Sequence, residues 1–308
     1  MGGPVSELLR PPDDDGRIDG RRYRYRPAAA RPTGSWPGGR QLAVYVALGV
    51  EDYRMGEGET EDLLPGMPHP DRVNTAWRDY GNRVGAFRVL DGLMAAGIPP
   101  TLLLNTVLYD SAPDVPAAAR AAGAELIAHG HSNSDSLVAL GHGEELPYVR
   151  QVAERITEEE GTAPGGWSSP WLTHTPSTPD LLALAGYRYL LDLRPDDQPV
   201  WLETASFPLL AIPYALELND STTMIGRQVS AADFADMVVD EFDELRETAG
   251  DQPVVMSVVL HSFITGVPFR FRQVRRALEH LAGFADDVWL TTPGQIYAAF
   301  RKMSPPPT

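Results

Sequence analysis

The stretch 124–136, "AELIAHGHSNSDS", places two of the chain's seven histidines one residue apart, where an apolar run gives way to polar residues. In extended backbone, residues two apart point to the same face. His129 and His131 could then hold a divalent metal together, with Asn133 or Asp135 as an oxygen ligand; alternatively one ring packs at a rim and the other meets solvent. Glu51 and Asp52 are neighbouring acids after the apolar run 41–50. Neighbours on a strand face opposite ways, so only one of the two is expected to enter a site there. A carboxyl in a dry mouth would have a raised pKa and could act as a base, while its neighbour binds a cation or orients water. His261 ends "VVMSVVLH" and is either a core histidine satisfied by a carbonyl or, facing a carboxylate, a general acid. Ser168, Ser169 and Ser262 lie outside any G-x-S-x-G elbow, so no serine triad is expected. His69, His142, His174 and His280 are read as loop or surface residues.

The elements that must position these groups are eight short apolar runs: 41–50, 101–107, 125–130, 165–170, 187–193, 209–215, 254–261 and 288–292. Helical patterns are read at 79–97, 112–122, 143–160, 177–185, 230–248, 268–282 and 293–302. Near-continuous apolar strands alternating with helices predict a parallel sheet covered outside by helices. That number of units predicts a distorted (β/α)7–8 barrel forming a single α/β domain over residues 41–302. Residues 1–40 are read as an extended N-terminal arm, and residues 303–308 as a disordered tail. No glycine-rich fingerprint follows the first strand, which argues against a nucleotide cofactor. In parallel barrels the functional groups gather at the carboxyl ends of strands. The runs here end in "EDY", "HGHSNSD", "SSPW", "DLRPDD", "LNDS" and "HSF". His131, Trp167, Pro170, Trp171, Asn219 and Asp220 are therefore read as substrate-binding residues. Two insertions, 55–83 and 194–207, are long enough to form lids over a small pocket.

Composition narrows the class. The net charge is −16, from 26 basic and 42 acidic residues, which disfavours nucleic acid and anionic membranes as partners. The absence of cysteine excludes disulfides, thiolate metal sites and a cysteine nucleophile. No apolar stretch reaches the length of a membrane span, and the N-terminal region lacks the apolar core of a signal peptide. A cytoplasmic protein acting on a small molecule is expected, with self-association left open.

Acids after the first strand, a histidine motif after the third, an aromatic–proline turn after the fourth and "LH" after the penultimate run together resemble the polysaccharide deacetylase (NodB-homology) superfamily over about residues 40–302. The resemblance implies a distorted barrel that hydrolyses N-acetyl groups with a bound divalent, zinc-like metal. It implies Glu51 as the catalytic base, Asp52 and His129 as metal ligands and His261 as the general acid. The arrangement A-H-G-x-S-H of the peptidoglycan deacetylase-like branch puts its second histidine at Asn133. "GGWSSPW", "PYALELND" and "LHSFITGVPFR" are closer to the allantoinase-like branch, whose members act on small cyclic amides and ureides, some without metal. With asparagine in a ligand's place, metal is expected to bind weakly or not at all. Its polarising role would then pass to donors such as His129 or His131. The expected function is hydrolysis of a non-peptide carbon–nitrogen bond in a small cyclic amide, ureide or N-acyl metabolite. A metal-dependent sugar N-deacetylase and a non-catalytic binding barrel are the alternatives.

Overall fold

The computed structural model describes residues 21–141 and 143–307. The expectation for His142, half of the proposed arm and the last residue of the tail lie outside them. Among the described residues nine strands form one sheet: β1 (Leu42–Val50), β2 (Pro100–Leu104), β3 (Glu125–Ala128), β4 (Gly166–Trp167), β5 (Tyr189–Leu190), β6 (Val200–Leu202), β7 (Leu209–Ala211), β8 (Val254–His261) and β9 (Trp289–Leu290). Their order is β6-β7-β5-β4-β3-β2-β1-β8, with β9 also paired to β1. The pairs are parallel except β6 with β7. The sheet curls into a half-barrel that stays open between β6 and β8, giving one distorted α/β barrel domain.

The helices are α1 (Arg72–Tyr80), α2 (Ala86–Ala95), α3 (Leu108–Ser111), α4 (Asp114–Ala121), α5 (Glu145–Glu160), α6 (Thr178–Leu184), α7 (Ala231–Thr248), α8 (Pro268–Ala282) and α9 (Pro293–Met303). From α5 onward they meet the sequence patterns to within two residues. Two expectations need correction. The helix expected from residue 79 starts at Arg72, because the Asp71 side chain accepts from the Val73 and Asn74 amides and caps that turn. The second insertion is not simply a lid, because it contributes β6, bonded to the sheet edge through β7.

Side-chain alternation along the strands sorts the apolar residues into two cores. Val44, Val46, Leu48 and Val50 of β1 face the helices. Ala43, Tyr45 and Ala47 face the barrel interior, together with Leu103, Ile127, Tyr189, Leu210, Val255 and Val259. At the amino end of the interior sits Trp36, 1% exposed, against Trp289 and Phe300. Alternation also fixes what emerges at the other end.

Candidate active site

Continuing the interior row of β1 (residues 43, 45 and 47) leads through Gly49 to Glu51. The same step leads from Ile127 to His129 and from Val255, Ser257 and Val259 to His261. These three side chains meet at the carboxyl end of the barrel. Glu51 Oε1 lies 3.2 Å from His261 Nε2 and 3.5 Å from His129 Nε2. Its other oxygen accepts from the Tyr53 hydroxyl at 2.5 Å and from the Asn133 amide at 3.0 Å. Gly49 makes room for the cluster, since a Cβ there would stand 2.9 Å from the His261 ring and 3.0 Å from Glu51 Oε1.

Each imidazole is held from behind. His129 Nδ1 donates to the Ser168 carbonyl at 2.8 Å, which turns Nε2 toward Glu51. His261 Nδ1 donates to Asp220 Oδ1 at 2.6 Å. Asp220 Oδ2 accepts from the His261 amide and from both the amide and the hydroxyl of Thr265. Asp220 is fully buried, and its oxygens are committed.

The electrostatics correct the expectation of a raised pKa at Glu51. Burial alone would push its carboxyl up, but the adjoining His261, with His129, outweighs burial and holds it well below the usual carboxylate range. For His261 burial opposes charge, yet Glu51 and Asp220 prevail and raise its pKa well above the ordinary imidazole value. The resting pair is therefore a carboxylate facing an imidazolium.

The remaining candidates take other places. Asp52, of opposite parity to Glu51, turns outward, where its carboxylate accepts from Ser111. His131 shares parity with His129, but Gly130 between them has φ 72°, a left-handed conformation that interrupts the extended backbone. Its ring is exposed and bonded to Thr106. Trp167 lies on the helix-covered face, fully buried against Tyr187. Asp135 pairs with Arg54. Pro170 is buried in the turn after β4, and Asn219 is buried while its side-chain oxygen caps the Ser221 amide. Asp220 touches His261 rather than open space. Trp171 alone among the aromatic candidates stands beside the cluster, its ring edge-on to Tyr53 and its indole N–H bonded to the Asn133 carbonyl. It holds φ 59°, in the left-handed region that non-glycine residues seldom adopt.

Of the expected metal ligands, His129 and Asn133 meet at Glu51, whereas Asp52 does not join them. The Asp52 carboxylate accepts from Ser111, and Asn133 donates its amide nitrogen to Glu51 and Tyr53 while its Oδ1, the atom a metal would take, has no hydrogen-bond partner among the described residues. Among the described residues no group of three or more histidine and carboxylate side chains is arranged to hold a metal ion. The donors present do not fit the metal that the resemblance implies. Sequence reasoning missed Tyr53, although it shares parity with Glu51, and Glu61, for which no local signal exists. The first insertion carries Glu61 across the mouth. Glu59 donates its amide to the Ser134 carbonyl at 3.3 Å, and Glu61 accepts from Ser221 at 2.7 Å.

No family model matches the chain. A curated protein of Schizosaccharomyces pombe described as "Putative polysaccharide deacetylase" is 26% identical over 311 residues, covering 89% of this chain and 94% of that protein. The crystal structure of Puue allantoinase superposes with a TM-score of 0.79 at 26% identity, over 89% of this chain and 95% of that one. The structure of a "probable Polysaccharide deacetylase" from Pseudomonas aeruginosa PAO1 gives 0.78 at 25% identity, over the same shares. Together with the barrel and its strand-end cluster, these likenesses mark the chain as a hydrolase of carbon–nitrogen bonds other than peptide bonds, similar to the polysaccharide deacetylase superfamily and to its allantoinase-like branch.

Proposed function

We propose that the chain hydrolyses an amide bond in a small cyclic amide, ureide or N-acyl metabolite, with Glu51 as base and His261 as acid. The observation that supports this most is the buried contact of Glu51 with His261, whose far nitrogen is held by Asp220. Water attack on an amide needs proton removal from the water and proton delivery to the departing nitrogen, otherwise the tetrahedral intermediate reverts. Glu51 takes the water proton while His261 Nε2–H protonates the nitrogen. A carboxylate held at low pKa is a weak base at rest. Its basicity rises as His261 gives up its proton, because the charge that stabilised the carboxylate disappears in the same event. The products leave a neutral carboxylic acid beside a neutral imidazole. Proton return from Glu51 to His261, 3.2 Å away, restores the resting pair. His129 Nε2 faces the site, but because Nδ1–H is given to the Ser168 carbonyl it can donate to the substrate carbonyl only when the ring carries both protons; His131, bonded to Thr106, is not placed to do so.

Sugar N-deacetylation is the second reading, favoured by the descriptions of the Schizosaccharomyces pombe and Pseudomonas aeruginosa relatives. A hydrolysis screen of cyclic ureides, cyclic imides, N-acetyl sugars and formamides, run with chelator and with added zinc, separates the two. Ureide or imide turnover that survives chelation is expected. Turnover confined to N-acetyl sugars and dependent on added zinc would overturn the first reading.

A further inference from the structure

Glu61 has no part in the acid–base scheme, yet it is tied to both halves of the pair. Its Oε1 accepts from the hydroxyl of Ser221, the residue after Asp220, at 2.7 Å. Its main-chain carbonyl accepts from Arg78 at 2.7 Å. Arg78 is 4% exposed and places its guanidinium 5.1 Å from the centre of the Tyr53 ring, whose hydroxyl binds Glu51. Glu61 Oε2 has no hydrogen-bond partner among the described residues, and Glu61 is partly exposed. The loop thus presents one free carboxyl oxygen at the mouth, beside the proton donor and the base. Burial raises the Glu61 pKa to about 7; His261 and Ser221 lower it, while Glu51 and Asp220 raise it. A bound substrate that strips water from this oxygen without offering a donor leaves it unsatisfied, which is costly, whereas a substrate N–H keeps it paired.

We propose that Glu61 selects the substrate by accepting, through Oε2, an N–H other than that of the departing nitrogen. This rests on the amide-hydrolase reading and narrows it. Ureides and small cyclic amides with a second N–H near the scissile bond satisfy the acceptor, whereas a simple N-acetyl amine offers none beside its carbonyl. The groups facing Glu61 are His261 of β8, Asp220 and Ser221 of the segment between β7 and α7, and Glu51 and Tyr53 after β1. Glu51 is held ionised and His261 protonated around neutrality, so a rising limb of activity near pH 7 belongs to Glu61.

The test compares a ureide hit from the screen with its analogue methylated on the non-departing nitrogen. In the wild-type protein kcat/KM should favour the parent by about 10- to 100-fold, the scale of one hydrogen bond to a charged group. Glu61→Ala should collapse that preference to about threefold or less, mainly by raising KM for the parent. Glu61→Gln should flatten the rising limb near pH 7, which keeps the test alive if the alanine variant does not fold. Equal losses on parent and analogue, or an unchanged pH profile in Glu61→Gln, would overturn the inference while leaving ureide hydrolysis intact. Glu51-dependent acetate release from N-acetyl sugars alone would overturn the underlying reading instead.

Discussion

β1 and β8 carry a buried cluster at each end of the same interior face, and the two are built on opposite principles. At the amino end Trp36 meets Trp289 and Phe300 at ring separations of 5.8 and 6.3 Å, and its indole N–H is satisfied by the Val254 carbonyl. Nothing there titrates, and the energy comes from apolar area and close packing. At the carboxyl end Glu51, His129, Asp220 and His261 are also buried, but each is fixed by directed hydrogen bonds and by opposite charge. Buried charge is expensive unless paired, so this end spends stability on a defined proton arrangement. The amino end should answer to mutation as stability, and the carboxyl end as turnover.

Glu51→Gln should show the largest effect: kcat lower by about 10²-fold or more with the fold retained, read by steady-state kinetics beside thermal unfolding. Asp220→Asn should come next, at about tenfold or more, because it removes one of the two carboxylates that keep His261 protonated. The sign follows from that cause. With His261 pKa lowered, the proton donor is lost at lower pH, so the falling limb of kcat moves toward neutrality. Trp36→Ala should instead cost about 3–5 kcal/mol of unfolding free energy and leave the pH profile of kcat in place. The smallest effects belong to residues that alternation turns away. Asp52→Asn, His131→Ala and chelator treatment should each change kcat by about twofold or less, the scale of surface substitutions. A hundredfold loss in Asp52→Asn, rescued by zinc, would erase the distinction between Glu51 and its neighbour.

Much of this arrangement was legible in the strands. Long apolar runs place β1 and β8, and a period of two along them points Glu51 and His261 inward. The same rule shows why Asp52 turns outward and why Trp167 joins the helix-facing core rather than the site. It fails at His131 because alternation ends at Gly130, whose positive φ and the closeness of Pro170 and Tyr148 to where a Cβ would stand leave room only for glycine. β6 escaped notice because a three-residue strand within a Pro- and Asp-rich insertion has no period to read. Asp220 was visible as a polar strand-end residue, but its grip on His261 depends on two segments 41 residues apart. Glu61 is the extreme case. Its place depends on Ser221, 160 residues away, and on the buried Arg78.

The central claim is that Glu51 and His261 act on one proton path. A double-mutant cycle in kcat tests it most directly, using Glu51→Gln, His261→Ala and the combined variant on a substrate from the screen. Each single change should cost about 10²-fold or more, and the pair should lose far less than the product of the two, because removing either group already breaks the path. Near wild-type kcat in either single variant, or losses that multiply in full, would contradict the account.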